Sequence, residues 1–177
     1  MTRETLELEV GRFDTPLGEA LVVFDDEGRV RAFDWTDHEQ RTLTNLRRQY
    51  PYRVTLAPAK VPGPLKGRLE AYFGGQLDAL DGIPCETGGT PFQRAVWAAL
   101  RRIRAGQTRS YGEVAREVGS PKAVRAVGLA NGSNPIGVIV PCHRVIGSDG
   151  SLTGYGGGLE RKRWLLQHEG AQLALSA

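Results

Sequence analysis

The sequence predicts an α/β (α+β) protein in two parts, a strand-rich first half and a mainly helical second half. Three observations carry that expectation. The first third shows period-2 alternation and a hairpin signal. The second half shows helical spacing behind a capping motif. Charge divides along the same line: residues 1–90 hold 11 Lys and Arg against 15 Asp and Glu, a net of −4, and residues 91–177 hold 12 against 5, a net of +7. Such asymmetry points to two units with different tasks, and the basic one is the candidate to meet phosphates. The competing reading is a solvated basic surface. The overall net charge of +3 does not by itself establish a nucleic-acid partner.

Taken in order, the first half begins with Leu6, Leu8 and Val10 alternating with Glu7, Glu9 and Gly11, the pattern of a half-buried strand. Ala20–Phe24 and Val30–Trp35 flank Asp25-Asp26-Glu27-Gly28, a hairpin with glycine available for positive φ. Residues 37–49 are polar and helix-compatible. Pro62-Gly63-Pro64 open a helix that ends near Phe73 at Gly74-Gly75. The expected organisation is an N-terminal α/β domain over 1–84, a linker over 85–90 and a C-terminal domain over 91–177.

The second half opens on Thr90 as N-cap, Pro91 at the first helical position and Gln93 completing a capping box. Phe92, Val96, Trp97, Leu100 and Ile103 fall at helical spacing and read as core, with Arg94, Arg101, Arg102 and Arg104 opposite. Tyr111–Gly119 is a short amphipathic helix closed by glycine. Ser120-Pro121 turns the chain, and Lys122–Asn131 is a second helix. Helix, turn, helix is a DNA-binding pattern. The second helix presents small residues, Ala123, Ala126, Gly128 and Ala130, around Arg125, which suits close approach to a surface rather than base-edge reading. Two packed helices with no DNA role is the alternative.

Val138-Ile139-Val140 reads as a short buried strand running into Pro141-Cys142-His143-Arg144-Val145. A free thiol titrates near about 8.5, and nearby cationic or hydrogen-bonding groups lower that. Neighbours on a strand point to opposite faces, so adjacency alone leaves a structural cysteine as the competing reading. Gly154-Tyr155-Gly156-Gly157-Gly158 supplies a loop whose amides can approach a ligand. It is no dinucleotide fingerprint, because position 159 is leucine, and no P-loop, Cys-x-x-Cys or His-Glu-x-x-His occurs. Three histidines and two cysteines at these spacings give little support for a metal site, and no cofactor is expected. Two cysteines also exclude a disulfide scaffold and favour a reducing compartment. The charged N-terminus and the lack of a long apolar run lead us to expect no signal peptide and no membrane span, hence a cytoplasmic protein.

These pieces together resemble the O6-alkylguanine-DNA alkyltransferases, or methylated-DNA–protein-cysteine methyltransferases, and among them the bacterial constitutive form. The matching text runs through Gly89-Thr90-Pro91-Phe92-Gln93, Ser110-Tyr111-Gly112, Arg125-Ala126-Val127-Gly128, Asn134-Pro135, Pro141-Cys142-His143-Arg144-Val145, Gly157-Gly158-Leu159, Trp164-Leu165-Leu166 and His168-Glu169-Gly170. Nearly all of 89–170 is covered, in order. The first half is similar only through Thr15-Pro16-Leu17-Gly18 and its strands.

The resemblance implies a ribonuclease-H-like N-terminal domain and a winged-helix-like C-terminal domain with a helix-turn-helix. It implies a monomer acting on double-stranded DNA that contains O6-alkylguanine, with O4-alkylthymine a second substrate to weigh. Cys142 matches the alkyl acceptor, which acts once. His143 matches the base acting through a water, Glu169 the carboxylate orienting it, and Asn134 the side chain fixing the helix-turn-helix against the active-site segment. Tyr111 matches the tyrosine that donates to guanine and crowds the 3′ phosphate. Arg125 matches the finger filling the base stack, with Ala123 and Ala126 on a minor-groove surface. Tyr155 and Gly156 match the pocket loop, and the carbonyls of Cys142 and Val145 match acceptors for the guanine amino group. Gly156 stands where some members have serine, and the backbone donor survives that change. Gly137 replaces a proline of some members, read either as a roomier pocket or as neutral loop variation. Cys85 matches no functional residue. The runner-up is a lesion-binding protein that transfers nothing, as the alkyltransferase-like proteins do with another residue in place of the cysteine. A cysteine hydrolase is a third class, for which nothing suggests an acyl substrate.

Overall fold

The computed structural model describes residues 4–173. Met1 to Arg3 of the charged N-terminus, and the last four residues of the expected 91–177 domain, lie outside the described residues. Two compact units divide between Gly89 and Thr90.

The first unit is built on a four-stranded sheet: β1 (Thr5–Thr15), β2 (Gly18–Phe24), β3 (Val30–Trp35) and β4 (Arg53–Pro58), in the order β3-β2-β1-β4. β1–β2 and β2–β3 are antiparallel, and β4 joins β1 in parallel, with Leu6 opposite Val54. Gly28, at φ 76, lets the β2–β3 turn close, and Asp25 locks it by accepting from the amides of Glu27 and Arg29 and from the buried Arg31 guanidinium. A parallel partner needs a crossover, and α1 (Glu39–Arg48) supplies it. Its Leu46 closes one sheet face over Leu8, Val23, Ala32 and Val54. Strand alternation sends Phe13, Val22 and Phe33 to the other face, where Phe13 meets Phe73 of α2 (Gly63–Phe73). β4 goes beyond the sequence expectations. It is a short edge strand ending at Pro58, with only Val54 buried, so its apolar signal is faint.

The expected linker over 85–90 is pinned at its start. Cys85 bridges Val30, and Glu86 donates its amide to the Val30 carbonyl.

The second unit orders α3 (Pro91–Arg101), β5 (Arg109–Ser110), α4 (Tyr111–Glu117), α5 (Val124–Gly132), β6 (Val145–Ile146) and α6 (Leu159–His168). The Thr90–Gln93 capping box is formed in both directions, at 3.1 and 2.9 Å. A second one, Ser110 with Glu113, starts α4 at 3.1 and 3.0 Å. Val96, Trp97 and Leu100 are buried as the helical spacing predicts, while Phe92 is half-buried. The Trp97 indole donates to the Ala130 carbonyl at 2.8 Å and ties α3 to α5. Gly119 closes α4 at φ 77. The second helix starts at Val124, not Lys122. Lys122 lies in the turn, and Ala123 is an N-cap without a side-chain acceptor whose amide donates to the Ser120 carbonyl.

Val138–Val140 is buried, as expected, but it is not a strand. The Ile139 amide donates to the Gly137 carbonyl at 2.7 Å around Val138, which sits at φ 66. That is a γ-turn of the left-handed kind, strained for a β-branched residue. The Cys142 amide donates to the Val140 carbonyl at 2.8 Å around Pro141, at φ −83 and ψ 67, an inverse γ-turn. Apolar composition alone does not separate a strand from a buried run of turns, and here tertiary packing decides.

Among the described residues, no helix is long and apolar enough to cross a membrane.

Candidate active site

The two γ-turns deliver Cys142 into a short 3-10 turn, Cys142–Arg144, from which β6 pairs in parallel with β5. All three residues of the turn are buried. Two asparagines from the end of α5 and just beyond it hold the approach. Asn134 accepts from the Ile136 amide at 3.0 Å and donates to the Val140 carbonyl at 2.8 Å, bracketing the strained turn. Asn131, buried, donates to the carbonyl of Cys142 itself at 3.3 Å.

His143 is 0% exposed, and its Nε2 lies 3.0 and 2.9 Å from the two oxygens of Glu169, the residue that ends α6. Arg144 reaches the same carboxylate from the neighbouring position. Its Nε and Nη2 donate at 2.9 and 2.8 Å, while Nη1 donates to the Ile103 carbonyl. Burial alone would raise the Glu169 pKa, but His143 and the Arg144 guanidinium outweigh it and hold the group well below the usual carboxylate range. Burial pulls His143 below its ordinary value, only partly offset by Glu169. The imidazole is therefore neutral at pH 7. An ionised carboxylate only accepts, so Nε2 carries the hydrogen and Nδ1 keeps a lone pair. That Nδ1 is buried without a hydrogen-bond partner. A neutral base with its tautomer fixed by a carboxylate, one residue from a buried thiol, is equipped to take a proton from it.

The other expected residues divide into two groups. Tyr111 starts α4, and its hydroxyl donates to the Thr153 carbonyl at 3.1 Å, which joins it to the glycine loop. Val145 is buried, Tyr155 half-buried and Gly156 exposed. Arg125 and Ala126 lie exposed on α5 and Ala123 half-buried at its cap, in company with exposed Val124 and Leu129. Cys85 belongs to the first unit, where its thiol donates to the Ile83 carbonyl.

Sequence reasoning missed three contributors. Arg144 is visible as the fourth residue of Pro-Cys-His-Arg, but not as the second clamp on Glu169. Asn131 carried no signal beyond its position three residues before Asn134. Lys162 sits between Arg161 and Arg163 in a basic helix and reads as solvated, yet it is fully buried.

Residues 91–171 match the family described as 6-O-methylguanine DNA methyltransferase, DNA binding domain. The chain is 49% identical over 160 residues to a methylated-DNA–protein-cysteine methyltransferase of Shigella flexneri, covering 88% of this chain and 92% of that one. The crystal structure of Mycobacterium tuberculosis OGT in complex with DNA is similar at TM-score 0.75 and 40% identity over 93% of each chain. The O6-methylguanine-DNA methyltransferase of the hyperthermophilic archaeon Pyrococcus kodakaraensis is similar at TM-score 0.73 and 26% identity, covering 93% of this chain and 99% of that one.

Proposed function

We propose that Cys142 is the alkyl acceptor of this chain, which belongs to the methylated-DNA–protein-cysteine methyltransferase family. Its activity is the family's: direct repair of DNA by transfer of a methyl group from methylated DNA to a cysteine of the protein itself. The observation that carries the assignment of Cys142 is a neutral, buried imidazole held by an ionised carboxylate through Nε2, with an unpartnered Nδ1, at the residue that follows a buried thiol.

In this reading His143 draws the thiol proton through a water, and the thiolate attacks the alkyl carbon on O6 of guanine in line. The S–C bond forms as the C–O6 bond breaks. The bonding pair goes to guanine, which takes up a proton in place of the one the thiol gave. A thioether is stable and no second nucleophile removes it, so each molecule acts once. Glu169 holds the imidazole tautomer, and Asn134 holds the turn that presents Cys142.

A guanine inside a duplex cannot bring O6 to a buried thiol, so the nucleotide rotates out. Arg125, exposed on α5, fills the stack it leaves. Small and apolar neighbours such as Ala123 and Ala126 let the helix lie in the minor groove. Tyr111, Tyr155 and Gly156 receive the base, with the backbone N–H of the loop as donor to O6 and the Cys142 and Val145 carbonyls as acceptors. We read α4–turn–α5 as a helix-turn-helix in a winged-helix-like unit. We read the first unit as ribonuclease-H-like, which the β3-β2-β1-β4 order with a parallel β4 supports.

The test is intact and peptide mass spectrometry after mixing with duplex DNA carrying O6-methylguanine. One methyl mass per chain on Cys142 is expected, and none on Cys142→Ser. Tight binding without added mass would make the protein a lesion binder instead.

A further inference from the structure

Lys162 is the buried ion that the mechanism above leaves without a task. It projects from α6 and is 0% exposed. Among the described residues it forms no ion pair with a carboxylate. Its ammonium donates to three backbone carbonyls instead: Val145 at 2.7 Å, Thr153 at 2.8 Å and Gly154 at 3.3 Å. Burying a cation is expensive unless its donors are filled, and an ammonium has three. Burial draws its pKa down to about 8, with Cys142 acting against the fall, so at pH 7 it still carries its charge. A side chain of equal length without the charge would avoid that cost. The fold spends it on joining two particular segments.

Those segments are the ones the alkylguanine would touch. Val145 lies three residues after Cys142, and Thr153–Gly154 lead directly into Tyr155 and Gly156. Thr153 is also the residue whose carbonyl takes the Tyr111 hydroxyl. We propose that Lys162 is a positioning residue for alkyl transfer, a three-carbonyl clamp that fixes the segment leaving Cys142 against the loop that closes over the base. The clamp rests on the alkylguanine reading of the site. It also explains how the Val145 carbonyl serves as an acceptor for the guanine amino group. A carbonyl oxygen has two lone pairs, and Lys162 occupies one and fixes the direction of the other. Tyr111 ties the same loop to the start of α4, so the loop that receives the base is held from two sides by side chains that do not belong to it.

The experiment is single-turnover transfer from the free base O6-benzylguanine, which uses the pocket but not the duplex. Lys162→Met keeps the aliphatic length and removes every donor. The half-saturating concentration should rise about tenfold or more, as for the loss of one charge-assisted contact, while the maximal rate constant falls by a smaller factor. Lys162→Gln, one atom shorter with two donors, should fall between Met and wild type, and it serves if the Met variant fails to fold. A folded variant of either kind whose half-saturating concentration stays within twofold of wild type overturns the proposal. The wild-type protein gives a second, independent reading. The 15N-labelled Lys162 ammonium should be seen by NMR as a slowly exchanging resonance, and exchange as fast as that of exposed lysines overturns the clamp. Wild type that transfers from neither O6-benzylguanine nor duplex O6-methylguanine would sink the functional reading instead, and the ammonium measurement would still decide the clamp.

Discussion

Replacing Glu169 by glutamine changes one atom and one charge at the point where His143 and Arg144 meet. In the native site the two carboxylate oxygens face His143 Nε2 and two nitrogens of Arg144, all within 2.8–3.0 Å, and every one of those partners donates. A glutamine amide offers one oxygen and one NH2 group. The NH2 group must point at a donor, so at least one of Arg144 and His143 loses its acceptor. Arg144 remains charged and buried without its anion, and breaking such a pair costs about 3–5 kcal/mol. For a chain of this size each kcal/mol is worth about 2–4 °C, so Tm should fall by roughly 6–20 °C. The chemistry should fail separately. The glutamine NH2 group favours the imidazole with its hydrogen on Nδ1, which removes the lone pair that the proposed base would use. Transfer from duplex O6-methylguanine, measured in a single turnover at 15 °C where the variant is still folded, should slow on the order of 10²–10⁴-fold. A melting temperature within 2 °C of wild type would refute the buried-pair argument. A folded variant transferring within fivefold of wild type would refute the tautomer argument.

Two further outcomes follow from the geometry. Arg125→Ala should slow repair of duplex DNA by at least about tenfold and leave transfer from free O6-benzylguanine within about twofold, because the proposed finger would act only on a stacked base; equal losses on both substrates would remove Arg125 from that role. Acid should destabilise the fold early. His143 has a folded pKa below its ordinary 6.5, so below about pH 6.5 the unfolded chain binds a proton that the native state refuses, and stability drops as pH falls toward the folded value. Glu169 continues the loss below about pH 4.5, since its native pKa is depressed and its stabilisation fades as the pH approaches that value. Urea unfolding across pH 4–8 should show this decline, and His143→Asn should flatten its upper part; a stability constant down to pH 5 would contradict a neutral buried His143.

How much of this was legible in the sequence depends on whether the signal is local. The β2–β3 hairpin, the Thr90–Gln93 box and the glycine stop at Gly119 are written in adjacent residues, and the structure forms each of them. Ser110-Tyr111-Gly112-Glu113 is an equally local capping box, and it starts the short helix that follows. Lys162 was not legible, because its burial rests on carbonyls 8 to 17 residues away and its neighbours Arg161 and Arg163 make the helix look solvated. The active-site segment shows most clearly why local pattern fails. Val138-Ile139-Val140 is apolar and β-branched, and a strand is the natural reading. On a strand, however, His143 and Arg144 would point to opposite faces and could not share one carboxylate. In a 3-10 turn successive side chains are separated by about 120°, so both reach Glu169 from the same side of the backbone. The strained γ-turn at Val138 and the inverse γ-turn at Pro141 are what convert the run into that turn, and Asn134 holds the first of them by bonding at both Ile136 and Val140. The residues that look like a strand thus have to be something else for His143 and Arg144 to share one carboxylate, and the departure from local propensity falls beside the proposed alkyl acceptor.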